Sequence, residues 1–177
     1  MVKKNAIFFD RDGVLIKAPV DNNNKPKSIK TYDQIEWIDD IENICSFYKK
    51  NYYLIMVTNQ PDVTRKINSI KNVKKINSEI KKKLDLDDIF VCYCDNNCFN
   101  RKPNPGMILN AKKKFNLNLT KCFFIGDRWR DIEASHNAGC ESIFLDYNYN
   151  EDVKIEPNYK IKRLKEIYKI IKLKINF

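Results

Sequence analysis

The chain has 177 residues, 33 Lys and Arg against 23 Asp and Glu, and a formal net charge of +10. That length suits one domain, residues 1–177, with a substantial core, and no apolar run nears the ~20 residues of a membrane helix. The lysines scatter over several helix faces with no Arg-rich or aromatic-interleaved stripe, so the charge reads as solvated surface and a nucleic-acid partner is not expected.

In chain order, the first apolar run is Ala6–Phe9, a buried strand that stops abruptly at Asp10-Arg11-Asp12-Gly13. It follows Met1 so closely that no signal peptide is expected. A cytoplasmic protein follows, with its six cysteines reduced and disulfides not expected. Residues 18–34 read as a loop or flap too short for a cap domain. Ile38, Ile41, Ile44, Cys45 and Tyr48 predict a helix. A second strand, Tyr53–Val57, runs into Thr58, Asn59 and Gln60. The stripe Ile67, Ile70, Val73, Ile76, Ile80 and Leu84 predicts another helix, and Ile89–Cys92 a third strand.

The segment "CYCDNNC" (92–98) then leads to Lys102 in "RKPNPGM". Asn104-Pro105 predicts an N-cap with proline at the first helical position, opening a helix to about Phe115. Cys122–Ile125 is the fourth strand, followed by Asp127 and, four residues on, Asp131 on the same helix face. The single histidine, His136, lies in that helix away from the strand ends, and Gly139 reads as its C-cap. Ser142–Leu145 is the fifth strand. Ile161, Leu164, Ile167 and Ile171 predict a C-terminal helix.

Strands alternating with helices predict an open, mainly parallel α/β sheet, whose ligand site lies beyond the carboxyl ends of the strands. Asp10, Asp12, Thr58, Lys102, Asp127 and Asp131 all fall there. Carboxylates in that number suit Mg²⁺ with substrate phosphate and water. Lys102 and Thr58 would neutralise phosphoryl oxygens, one carboxylate would attack phosphorus and Asp12 would exchange protons.

"FFDRDGVL", "VTNQ", "RKPNPGM" and "IGDRWRDIEAS" resemble, in order, the four motifs of the haloacid dehalogenase-like phosphatases, over Ile7 to about Tyr149. The finer resemblance, through "TNQPDVTR" and "NRKPNPGM", is to the capless branch that acts on heptose bisphosphate and histidinol phosphate. It implies a three-layer, Rossmann-like fold with helices on both sheet faces and no cap. By that resemblance Asp10 is the nucleophile and Asp12 the acid/base. Asp10, Asp127 and the Asp12 carbonyl bind Mg²⁺, and Thr58, Asn59 and Lys102 hold the transferring phosphoryl group. Arg65 and Arg101 contact the rest of the substrate, including a second phosphate, and Arg128 is the basic residue beside the phosphate. Asp131 orients Lys102 or its neighbours.

Two departures stand out. The branch carries zinc in the loop before its R-K-P motif, and here the matching positions are Cys92, Cys94, Cys98 and Asn100, which leaves zinc and free thiols both open. Lys66 stands where the branch tends to carry glycine. The resemblance implies a monomeric, Mg²⁺-dependent phosphatase of a small phosphorylated sugar, a heptose 1,7-bisphosphate foremost. Histidinol phosphate and a nucleic-acid 3′-phosphate are the alternatives, and a non-enzymatic scaffold is not expected.

Overall fold

Each short apolar run becomes a parallel strand covered on both faces, because neither side of such a run can face water. The computed structural model describes residues 5–175. In chain order it has β1 (Asn5–Phe9), α1 (Ile41–Tyr48), β2 (Tyr52–Asn59), α2 (Ile70–Lys83), β3 (Asp88–Cys92), α3 (Gly106–Phe115), β4 (Phe123–Gly126), α4 (Trp129–Ala138), β5 (Glu141–Leu145), β6 (Tyr159–Ile161) and α5 (Ile167–Ile175). The six strands form one sheet in the order β3-β2-β1-β4-β5-β6, all parallel.

Alternate residues of each strand feed two separate cores. Ile7, Phe9, Leu54, Met56 and Ile125 pack against Ile41 and Ile44 of α1, Ile76 and Ile80 of α2, and Ile167 and Ile171 of α5. Ala6, Phe8, Ile55, Val57 and Phe124 pack on the other face against Met107, Ile108 and Ala111 of α3 and Ala134 of α4. The result is the expected three-layer arrangement. The chain reverses direction across the sheet between β1 and β4, so the residues following those strands, Asp10 and Asp127, flank the crevice where such folds bind ligands. Residues 10–40 contain β-bridges and a 3₁₀ turn at Tyr32–Gln34 but no inserted domain.

Several boundaries differ from the sequence expectation, among them that α1 begins at Ile41 and leaves Ile38 outside it. Ile161 belongs to β6, and α5 begins only at Ile167, after a 3₁₀ turn at Leu164–Glu166. All four residues of that stripe still enter one core, reached by strand, turn and helix in succession. The second helix starts at Ile70 under Ser69, whose side chain accepts from Asn72 N at 3.1 Å, and Ile67 lies exposed outside it. Pro105, not Asn104, occupies the cap position of α3. The Asn104 amide is drawn away to Asn97 Oδ1 (2.7 Å) and the Cys98 carbonyl (2.9 Å).

Lys66 adopts φ +60°, the left-handed conformation for which glycine is suited, in an exposed turn. A side chain there costs about 1–2 kcal/mol, offset in part by glycine's greater freedom when unfolded. Lys66→Gly is therefore expected to raise Tm by about 1–3 °C in thermal unfolding; a fall in Tm would mean that the lysine side chain stabilises the turn.

Candidate active site

β1 ends at the sheet centre and delivers Asp10, whose backbone N–H continues the ladder to the Ile125 carbonyl at 3.0 Å. Its Oδ1 accepts from Arg11 N at 2.7 Å and meets the Lys102 ammonium at 2.9 Å. Both of these donors fall on Oδ1 rather than on Oδ2.

Lys102 arrives from the β3–α3 loop and is 2% exposed. Its ammonium lies over the Phe124 ring (Nζ 5.4 Å from the centroid), donates to the Val57 carbonyl at 2.9 Å and pairs with Asp131 at 2.7 Å. Burial alone would push this ammonium's pKa down, but Asp10 and Asp131 outweigh it and hold the pKa above the usual value. Asp131 is thus the lysine's second ion-pair partner. Asn59 locks the same loop, donating to the Lys102 carbonyl at 2.9 Å and accepting from its N–H at 3.1 Å. Its amide positions the lysine, although the residue also lines the cavity.

Asp12 is held from two sides. The wholly buried Arg11 guanidinium binds it through Nε (3.1 Å) and Nη2 (2.8 Å) while Nη1 donates to Asn77 of α2 at 3.0 Å. Gln60 Nε2 donates to Asp12 Oδ2 at 3.0 Å and to Thr58 Oγ1 at 2.9 Å. Arg11 and Asn77 were not identified as site-shaping residues from sequence, and Gln60 was placed only beside Thr58 and Asn59 at the end of the second strand. Arg11 stands inside the first motif, but no local signal says that its side chain turns inward.

Asp127 follows β4 and is 1% exposed; neither carboxylate oxygen has a hydrogen bond of ordinary geometry, and the Tyr149 hydroxyl is a close side-chain neighbour able to donate. Gly13, at φ +93°, lies against it: a Cβ at Gly13 would sit 2.0 Å from Asp127 Oδ2. Burial, then Asp10 and Asp131, push the Asp127 pKa well up. Asp10, Asp127 and Asp131 each bring an oxygen within 4.8 Å of the others. Three buried carboxylates with one ammonium among them form a hard-oxygen set short of positive charge, which fits Mg²⁺.

A cavity of about 270 Å³ opens over this floor, lined by Asp10, Asp12, Thr58, Asn59 and Lys102. Arg65, Arg101, Arg128 and Arg130 also line it, with Lys27 and Ser28 from the flap. Arg65 pairs with Asp95, Arg101 donates to the Cys94 carbonyl, and Arg128 grips Glu151 through Nε and Nη2. Arg128, expected beside the phosphate, is thus engaged with a loop acid. Arg130 was not singled out from the sequence. A larger cavity, about 750 Å³, is lined by Gly13 but by none of the strand-end acids, and chemistry rather than volume locates the site.

The sulfurs of Cys92, Cys94 and Cys98 lie within 4.8 Å of one another. The Cys94 and Cys98 sulfurs are in mutual contact, with Cα atoms 6.4 Å apart, so the tight loop gathers three cysteines close enough to pair or to share a metal. No fourth His, Cys, Asp or Glu joins them among the described residues, and the Asn100 amide oxygen accepts from Asn110. The set is one ligand short of a closed structural zinc site. Cys45, Cys122 and Cys140 are buried, and His136 is exposed far from this chemistry.

The parallel sheet, the capless strand-end site and its acids define a haloacid dehalogenase-like phosphatase core. The chain belongs to the family described as polynucleotide kinase 3 phosphatase, which matches residues 5–173. It is 31% identical over 180 residues to the D-glycero-alpha-D-manno-heptose-1,7-bisphosphate 7-phosphatase of Campylobacter jejuni, covering 98% of this chain and 99% of the relative. It is also 31% identical to the corresponding beta-heptose enzyme of Pasteurella multocida, covering 96% and 97%. Among solved structures, the D,D-heptose 1,7-bisphosphate phosphatase of B. bronchiseptica, complexed with magnesium and phosphate, superposes with a TM-score of 0.78. The sequence identity is 21%, covering 96% of this chain and 99% of that one. Among the described residues no helix is long and apolar enough to cross a membrane.

The raised Asp127 pKa has a thermodynamic sign. The folded chain keeps a proton that the unfolded chain releases above about pH 4, so metal-free stability falls as pH rises from about 4 through the raised folded value. In EDTA at neutral pH, Asp127→Asn is expected to melt several degrees above wild type, since asparagine has neither a charge to bury nor a proton to retain on folding, relieving a cost of about 1–3 kcal/mol. Mg²⁺ should raise the wild-type Tm and leave the variant nearly unmoved. A variant that melts lower and still responds to Mg²⁺ would remove Asp127 from the metal site.

Proposed function

We propose that this protein is a Mg²⁺-dependent phosphomonoesterase that removes one phosphate from D-glycero-D-manno-heptose 1,7-bisphosphate, supplying nucleotide-heptose synthesis for a surface polysaccharide. The observation that carries the substrate is the 31% identity, over nearly the whole of both chains, to a relative of that activity. The chemistry is supported by Asp10 and Asp12 converging with Lys102 at the strand ends.

In this reading Asp10 Oδ2 attacks phosphorus and forms an aspartyl-phosphate, while Oδ1 stays fixed by Arg11 N–H and Lys102. Lys102 and Thr58 neutralise and hydrogen-bond the phosphoryl oxygens. Asp12 gives its proton to the departing sugar oxygen, then takes one from the water that cleaves the intermediate. The Arg11 and Gln60 clamp keeps its carboxyl in one place for both transfers. Asp10, Asp127 and the Asp12 carbonyl would hold Mg²⁺, which supplies charge neutralisation at the phosphoryl group.

The second reading, a nucleic-acid 3′-phosphatase, draws on the family description and the +10 charge. A cavity of about 270 Å³ beneath a flap is better matched to a small sugar phosphate. The heptose reading also takes residues 1–177 as one catalytic domain of a monomeric, cytoplasmic enzyme.

The test is phosphate release with Mg²⁺ from both anomers of the heptose bisphosphate, histidinol phosphate and a 3′-phosphorylated oligonucleotide, with Asp10→Asn as blank. Preference for one heptose anomer with release of a single phosphate is expected, and the blank should lose at least a thousandfold in kcat, on the order of removing a covalent nucleophile. Preference for the oligonucleotide, falling steeply with salt, would replace the sugar reading.

A further inference from the structure

Four arginines line the cavity, and three already have partners. Arg65 is paired with Asp95 and lies 3.7 Å from Asp62. Arg101 donates to a loop carbonyl, and Arg128 is bound through two nitrogens to Glu151. Arg130, the second residue of α4, is different. Its guanidinium lies over the Trp129 ring, with Cζ 5.4 Å from the centroid, and its Nε is buried with no hydrogen-bond partner. No salt bridge joins it to a described carboxylate. Arg101 and Arg128 are near enough to disfavour its charge, and the nearby Asp10 and Asp131 already share Lys102.

A half-buried arginine whose Nε–H is shielded and unpartnered, with two other guanidiniums nearby, is short of an acceptor rather than of a cation. An incoming dianion corrects both deficits, through charge-assisted hydrogen bonds that an arginine makes in a planar fork. The transferring phosphoryl group is already served by Lys102 and Thr58 in the reading above. We infer that Arg130 is a specificity-determining residue that binds the second, non-transferring phosphate of the substrate. Trp129 supplies the flat support that fixes its plane. The inference rests on the bisphosphate reading of the site.

The test compares wild type, Arg130→Met and Arg130→Lys, each with Mg²⁺, on two substrate pairs: heptose 1,7-bisphosphate against heptose 7-phosphate, and fructose 1,6-bisphosphate against fructose 6-phosphate. Met keeps an unbranched stem to pack on Trp129, and a melting curve checks that each variant is folded. The ratio of kcat/KM, bisphosphate over monophosphate, is expected to fall roughly ten- to hundredfold in Arg130→Met. The fall should come chiefly from KM, and Arg130→Lys should recover part of it. Equal losses on both members of a pair would assign Arg130 to the transferring phosphoryl group or to packing, and overturn the inference, as would an unchanged ratio. A wild type that does not favour the second phosphate in either pair would also overturn it. If wild type selects fructose bisphosphate over the heptose, the heptose reading fails alone and the fructose pair still judges Arg130.

Discussion

The Lys102 ammonium lies 2.9 Å from Asp10 and 2.7 Å from Asp131, with the lysine and Asp131 side chains almost fully shielded and Asp10 little exposed. It ties together the end of β1, the β3–α3 loop and the first turn of α4, three segments far apart in sequence. One ammonium cannot balance those two carboxylates and Asp127 besides, and burial makes the residual negative charge expensive. The same imbalance that strains the metal-free protein makes the pocket selective for a small, hard dication with its phosphate. Stability and the proposed function are coupled at this point: the buried acids that the proposed phosphoryl transfer draws on are ones the fold can bury only with help.

The rim is organised differently. Most of its cations are matched to an acid or carbonyl on a neighbouring loop: Arg65 to Asp95, Arg128 to Glu151, Arg101 to the Cys94 carbonyl, Lys30 to Asp62. These contacts fasten the flap, the β2–α2 loop, the cysteine loop and the segment after β5 around one opening. Where a cap domain would select substrates in other architectures, fastened loops must do so here. Arg130 gains its interest from that background, as the guanidinium left without such a partner.

The five main strands and the order of the strand-end residues were legible because continuous apolar runs mark buried parallel strands, and the carboxyl ends of those strands lie side by side. Asp10, Thr58, Lys102 and Asp127 could thus be placed together without coordinates. β6 was not legible: three residues, "YKI", with a lysine in the middle carry no periodic signal, and Ile161 fits a helical stripe equally well. The Asn104-Pro105 cap was misplaced by one residue because propensity does not register the loop amide and carbonyl that attract Asn104. The pairings of the arginines, and the inward turn of Arg11, depend on distant side chains such as Asn77 and Glu151. No local pattern encodes them.

Lys66 shows how the loops reconcile local strain with the site. Its N–H reaches the Val63 carbonyl at 3.1 Å, Ile67 N–H reaches Asp62 at 2.8 Å, and Thr64 Oγ1 donates to the Tyr93 carbonyl at 2.6 Å. These bonds define a tight reversal between β2 and α2, and the left-handed residue completes it ahead of the Ser69 cap. Asp62, in the same turn, accepts Lys30 of the flap at 2.6 Å, while Arg65 reaches across to Asp95 of the cysteine loop. A single strained residue therefore keeps the turn in the conformation that joins both neighbouring loops. The ordering of the substrate opening depends on that turn, whatever residue occupies position 66.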